Sequence, residues 1–253
     1  RTPSEIRDTL KGLEDGSVDL VIGTHRLVSG DIRFKDLGLV VIDEEQRFGV
    51  AHKEKFKQLF RQVDVLTLSA TPIPRTLYMA LMGARDMSTI ETPPPNRIPV
   101  ATSVCAYDER VIRDAIRREM KRGGQVFFLH NRVKTIDLMA SKIRQLVPEA
   151  RIVIGHGQMD KDDLEIVMHK FVQGEADVLL ATTIIETGID IPNANTILID
   201  RADRFGLADL YQLRGRVGRA GEKAYAILLL PRDMMTVGDA RKRIHAIKQY
   251  TAL

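Results

Sequence analysis

Leu39-Val40-Val41-Ile42-Asp43-Glu44-Glu45-Gln46 is an apolar run of strand length that ends in a row of polar and acidic residues. A run apolar on both faces suits a parallel strand whose sheet is covered by helices on both sides. Its carboxylates then stand at the carboxyl edge of the sheet, where open α/β folds bind their ligands. Phosphoryl transfer to water needs one carboxylate to hold Mg2+ through its water shell and a second to orient or deprotonate the attacking water. Asp43 and Glu44 suit those two roles. A solvated strand end with two surface acids fits the same string, so both readings stay open at this point.

Outward from that stretch, strand-like and helix-like segments alternate, which predicts an α/β fold built on parallel sheets. Val18–Ile22, Leu37–Ile42 and Val63–Leu68 are short apolar runs, and Val50–Arg61 reads as a helix with Lys53, Lys55 and Lys57 on one face. Thr2-Pro3-Ser4-Glu5 reads as a capping box with proline at the first helical position, so the chain is expected to open into a helix as a piece of a longer polypeptide. Pro93-Pro94-Pro95 cannot continue a helix or a ladder. It predicts a linker over 93–98 between a first domain, 1–92, and a second, 99–232, with the start of a further helical region over 233–253.

In the second domain, Glu109–Arg122 carries a helical apolar stripe and stops at Gly123-Gly124. Helices are also predicted around Ile136–Leu146 and after Asp160, where Leu164, Val167, Met168 and Phe171 face inward. Strands are predicted at Val126–Leu129, Arg151–Ile154, Val178–Ala181, Thr196–Ile199 and Ala224–Leu229. Arg241–Lys248 begins a basic helix.

Three further segments carry chemistry. Leu68-Ser69-Ala70-Thr71-Pro72 places hydroxyls ahead of a proline and, taken alone, reads as an ordinary turn. Gln212-Leu213-Arg214-Gly215-Arg216-Val217-Gly218-Arg219 is a short glycine-punctuated helix, on which Arg216 and Arg219 are three apart and share a face. Guanidinium groups there suit the charge that builds on a transferred phosphoryl group. A solvated basic helix is the alternative. Ala181-Thr182-Thr183 through Gly188-Ile189-Asp190-Ile191-Pro192 offers strand-end hydroxyls and amides for a phosphodiester and an acid for a ribose. Gly23-Thr24-His25, His130-Asn131-Arg132 and Gly155-His156-Gly157-Gln158 line up as further strand ends, with histidines whose spacing fits no zinc pattern.

Bulk properties agree. The 253 residues are 44% hydrophobic and 28% charged, enough for two cores and too ordered a composition for a disordered chain. A net charge of +4 suits an anionic polymer. Cys105 is the single cysteine, which excludes an internal disulfide and points to a reducing, cytoplasmic compartment. No apolar run reaches the roughly 18 residues of a membrane span.

Asp43-Glu44-Glu45-Gln46, Ser69-Ala70-Thr71-Pro72, Thr182-Thr183 through Asp190-Ile191-Pro192, and Gln212 through Arg219 stand in the order of motifs II, III, V and VI of superfamily 2 helicases. The chain resembles that superfamily over nearly its whole length. Asp43 through Val50 and Ala70 through Leu77 are similar to the branch that holds the transcription-repair coupling factors and the RecG-type fork helicases. Gly155 through Met159 and Arg201 through Ala208 look closer to the coupling factors.

The resemblance implies two RecA-like lobes, the first truncated at its amino end, with ATP and Mg2+ as cofactors and double-stranded DNA as partner. It implies that Asp43 holds Mg2+, Glu44 activates water with Gln46 beside it, and Arg216 and Arg219 act as arginine fingers. Gly188, Asp190 and Gln212 would bind nucleotide, and Ser69, Ala70 and Thr71 would couple hydrolysis to lobe movement. Thr24, His25, Arg132, His156, Gln158, Thr182 and Thr183 would touch the DNA backbone. Coupling factors move on duplex DNA, displace stalled RNA polymerase and recruit excision-repair proteins through modules that lie outside the motor.

The sequence departs from the family at one point. The phosphate-binding loop needs Gly-Lys-Ser or Gly-Lys-Thr, and neither tripeptide occurs. That loop is expected upstream of residue 1, so the isolated chain is expected to bind ATP poorly and not to hydrolyse it. Two alternatives remain: a RecG-type fork-remodelling helicase, and a non-enzymatic DNA- or protein-binding module descended from a motor.

Overall fold

A computed structural model describes residues 2–44, 48, 62–69, 86, 88, 90, 92, 98–183, 191, 193–218 and 221–232. The chain divides into two compact units, 1–87 and 88–253. The expected helices over 50–61 and 241–248 and residues 93–97 of the expected linker 93–98 lie outside the described residues.

In the first unit, helix α1 (Pro3–Asp15) starts as its capping box dictates. Thr2 accepts from the Glu5 backbone N–H, Glu5 accepts from the Thr2 backbone N–H, and Pro3 takes the first turn, where its missing N–H costs nothing. Gly16, at φ 81°, ends it in the left-handed conformation that a residue without Cβ tolerates. Strands β1 (Leu39–Asp43) and β2 (Asp64–Leu68) pair in parallel, with Asp43 opposite Leu68. Leu39, Val41, Val65, Leu66 and Leu68 are exposed.

Val18–Ile22 is not a strand. No neighbouring strand pairs with it among the described residues, Leu20 is 78% and Ile22 89% exposed, and an apolar run without a ladder partner has no reason to stay extended.

The second unit holds a six-stranded parallel sheet in the order β3-β8-β7-β4-β6-β5. The strands are β3 (Ala101–Ala106), β4 (Gln125–Leu129), β5 (Ile152–Gly155), β6 (Val178–Ala181), β7 (Ala194–Ile199) and β8 (Tyr225–Leu230). Helices α2 (Glu109–Lys121) and α3 (Ile136–Leu146) cover one face; α4 (Lys161–Val172) and α5 (Leu207–Arg214) cover the other. The strand period of two sorts the core. Phe127 and Leu129 point to the α4/α5 side, while Val126 and Phe128 point to the α2/α3 side. This is the doubly covered sheet that uniformly apolar strands require.

Adjacent strands β4 and β7 send their following helices, α3 and α5, to opposite faces. A crevice opens at the carboxyl ends of strands that diverge in this way, and such a switch point is where α/β sheets bind ligands.

Candidate nucleic-acid and nucleotide site

Within the first unit, Asp43 closes β1 as an exposed carboxylate and Glu44 follows in the left-handed region at φ 53°. The Glu44 backbone N–H donates to the Leu68 carbonyl at 2.9 Å, which ties the end of β1 to the end of β2, next to exposed Ser69. A non-glycine residue at positive φ is strained, and such strain concentrates at functional sites. Gln46, Ala70 and Thr71 lie outside the described residues. Thr24 and His25 do not follow a strand as expected: Thr24 precedes a single 3-10 turn, His25–Val28, and the run before it joins no ladder among the described residues.

Within the second unit, the ends of β4, β6 and β5 are consecutive, about 4.8 Å apart per strand. Spacing along the chain could not show that Arg132, after β4, and Gln158, after β5, meet there. They line an open depression of about 490 Å3 together with Val133, Lys134 and Thr135. Arg132, Lys134 and Gln158 are exposed, and Thr182 is buried at the end of β6 between them, its N–H donating to the Gly155 carbonyl at 3.3 Å. Thr183 is half-buried. The His156 Nδ1 is buried with no hydrogen-bond partner among the described residues, an unmet acceptor or donor beside the depression. Lys134 and Thr135 escaped the sequence reading, although a lysine in the loop just past a strand end was a usable signal.

At the switch point itself, His130 after β4 and Asp200 after β7 pair: Nδ1 lies 2.7 Å from Oδ2, and both residues are 7% exposed. The other ring nitrogen, Nε2, is 2.8 Å from the Thr135 hydroxyl.

Arg201 follows at φ 53°, so both non-glycine residues with positive φ among those described sit at strand ends, Glu44 one residue past β1 and Arg201 two past β7. The Arg201 guanidinium forks onto Asp203 at 3.0 and 2.8 Å and holds that carboxyl below its usual range. A depressed carboxyl stabilises the fold above its unfolded pKa, about 4, and loses that contribution as pH falls through the lower folded value. Asp203→Asn should therefore destabilise the chain at pH 7, and the gap to wild type should close below about pH 4. Denaturant unfolding at a series of pH values checks this; a gap that widened in acid would be inconsistent with it.

Helix α5 ends at Arg214. Arg216 consequently lies in the turn beyond it, half-buried, and not on a helix as expected. Gly218, at φ 79°, turns the chain out of the helical path, which is what glycine permits. Gln212 is half-buried on α5. Arg214 is 6% exposed, with its guanidinium 4.7 Å from the Tyr211 ring centroid. Gly188, Asp190 and Arg219 lie outside the described residues.

Residues 2–80 match the DEAD/DEAH box helicase family and residues 109–221 match the helicase conserved C-terminal domain. The chain belongs to helicase superfamily 2. It is 57% identical over 253 residues to the transcription-repair-coupling factor of Bacillus subtilis (strain 168) and 54% identical to that of Staphylococcus aureus (strain USA300). It spans all of itself but only 22% of either relative. Among solved structures, RecG bound to a three-way DNA junction superposes with a TM-score of 0.74 at 38% identity, over the whole chain and 33% of RecG. Yeast Dbp5 bound to RNA and ADP BeF3 shares the fold, with a TM-score of 0.63 at 19% identity. The fold is α/β, as the alternation of strands and helices predicted, and RecA-like, as the resemblance implied. Among the described residues no helix is long and apolar enough to cross a membrane.

Proposed function

We propose that this chain is motor sequence of an ATP-dependent double-stranded DNA translocase of the coupling-factor type, which displaces stalled RNA polymerase and links transcription to nucleotide excision repair. One observation carries the DNA part: Arg132 and Lys134 from one loop and Gln158 from another converge on one depression at the carboxyl ends of the strands. These are backbone-reading side chains, and a motor that moves over any sequence needs phosphate contacts instead of base contacts. The identity of 57% to a coupling factor, against 38% to RecG, favours the first of the two related activities. RecG-type fork remodelling is the second reading, supported by the superposition at TM-score 0.74.

The strand-end acids fit the cofactors. Mg2+ keeps several of its waters and needs only one or two carboxylates, which the exposed end of β1 provides. Bound MgATP supplies the phosphoryl group transferred to water, with its charge partly neutralised by the metal. Asp43 would hold the ion, and Glu44 would orient a water and take its proton. Arg216 and Arg219 bring positive charge, and Gln212, Gly188 and Asp190 contact the nucleotide. Ser69, Ala70 and Thr71 couple turnover to movement. Thr24, His25, His156, Thr182 and Thr183 add DNA contacts to those of the depression.

The deciding experiment measures ATP hydrolysis by the full-length protein with and without duplex DNA, and release of a stalled RNA polymerase from its template. DNA-stimulated turnover with polymerase release supports the coupling-factor reading. Stimulation by branched DNA without polymerase release supports the RecG-type reading. DNA binding without turnover supports a binding module. In the same protein, Arg132→Ala and Lys134→Ala should each weaken duplex binding regardless of sequence, and each should reduce the slope of log affinity against log salt by about one. The isolated 253-residue chain should show no metal-dependent ATP turnover, and measurable turnover would refute the need for a phosphate loop elsewhere.

A further inference from the structure

The depression that carries Arg132 and Lys134 is joined by side chains to the segment that leads into α5. Thr135, on the wall of the depression, meets His130 Nε2 at 2.8 Å, and His130 Nδ1 meets Asp200 Oδ2 at 2.7 Å. Asp200 is the residue before Arg201, whose guanidinium forks onto Asp203, and Arg204 then leads through Phe205 and Gly206 into Gln212 and Arg216. The backbone repeats the tie. The Asp200 N–H donates to the Leu129 carbonyl at 2.9 Å, and the Arg132 N–H donates to the His130 carbonyl at 2.8 Å.

A satisfied core histidine would account for burial alone. The placement adds more. His130 and Asp200 stand at the ends of the two neighbouring strands whose helices diverge, so the pair spans the crevice instead of filling one layer of the core. The carboxylate accepts from Nδ1–H whether the ring is neutral or charged, which fixes the ring plane and aims Nε2 at Thr135. On the far side, Arg201 stands in a sparsely populated backbone region. Strain of this kind persists only where neighbouring contacts hold it, so a change in the Asp200 contact bears directly on Arg201.

We propose that His130 and Asp200 are positioning residues that transmit occupancy of the Arg132/Lys134/Gln158 depression by a DNA backbone to the Arg201–Arg216 segment. The inference rests on the reading above, in which the depression takes DNA and Arg216 borders the nucleotide. When a phosphate draws the 132–135 turn outward, the Thr135–His130 contact loosens. An imidazole that follows Thr135 draws on Asp200 and so alters the backbone that leads into Arg201.

The test uses the full-length protein and a short blunt DNA duplex. Amide hydrogen exchange is followed with and without DNA, together with basal and DNA-stimulated ATP hydrolysis. In the wild type, DNA should slow exchange at 131–135 and also at 200–205. Asp200→Asn, which is nearly isosteric, and His130→Gln should keep the protection at 131–135 and lose it at 200–205. Each should lower the DNA-stimulated rate about tenfold while the basal rate stays within about twofold. The double variant should fall no further than the worse single one, since both act on one contact. A purely structural role would lower basal and stimulated rates together. Thr135→Val removes only a hydroxyl and covers the case in which a core variant misfolds: it should also lose the protection at 200–205. Protection at 131–135 without any at 200–205 in the wild type overturns the relay and leaves DNA binding standing. No protection at 131–135 removes the DNA reading and the relay with it. Unchanged stimulation in Asp200→Asn overturns the relay alone.

Discussion

In the full-length protein, Glu44→Gln should lower DNA-stimulated kcat by at least about a hundredfold while ATP and duplex DNA still bind, because general-base catalysis is worth that much or more. The substitution keeps the size of the side chain and its hydrogen-bonding reach, and removes only the ability to take a proton. The backbone around it should not change. Its φ of 53° and the 2.9 Å bond from its N–H to the Leu68 carbonyl are properties of the main chain at the end of the paired strands β1 and β2. Asp43→Asn should behave differently, raising the Mg2+ concentration needed for half-maximal rate. Steady-state kinetics over a Mg2+ titration separates the two. Equal kcat in wild type and Glu44→Gln would make these acids a solvated strand end and would remove the catalytic reading.

The second large effect concerns stability. Arg122→Ala should destabilise the second unit by about 3 kcal/mol, because it leaves a buried carboxylate without its cation. Glu119 is 0% exposed. Its Oε1 and Oε2 accept from Arg122 Nε and Nη2 at 2.9 and 2.7 Å, and Oε2 also accepts from the Thr196 hydroxyl on β7 at 2.5 Å. Arg122 further donates to the Lys223 carbonyl at 2.6 Å, so the network joins α2 to the starts of β7 and β8. There is no room to spare, since a Cβ on Gly124 would stand 1.9 Å from Glu119 Oε1. Urea unfolding of the chain followed by circular dichroism measures the loss. Thr196→Val should cost less, because Arg122 still satisfies the carboxylate. A loss below about 1 kcal/mol for Arg122→Ala, the range of an exposed pair, would show that water reaches the carboxylate.

Much of this fold is legible in local chemistry. The capping box at Thr2–Glu5, the apolar stripe of α2 and its stop at Gly123-Gly124 are short-range devices whose energetics close within a few residues. The same holds for the uniformly apolar strands β4, β6 and β7, each of which says that both faces are covered. The strand-end position of Asp43 was legible for the same reason. Where local chemistry was ambiguous, the reading failed. Val18–Ile22 has the composition of a strand, but a strand exists only with a neighbour to pair with. The run Gln212–Arg219 has the composition of one basic helix, but α5 stops at Arg214 and turns through Gly218.

Glu119 shows the limit from the other side. On an arginine-rich helix it reads as one more surface charge, yet it is fully buried, with Thr196 and Arg122 bonded to its carboxylate.

The sequence by itself determined the element types, their order and the chemistry waiting at the strand ends, because period, caps and breakers act over a turn or a few residues. Tertiary structure alone decided which of those ends are neighbours. Strand order brings β4 against β7 and one strand away from β5, so it pairs His130 with Asp200 across 70 residues and sets Gln158 beside Arg132. That choice depends on the summed packing of two helical layers on one sheet, a long-range balance that no single stretch of the chain encodes.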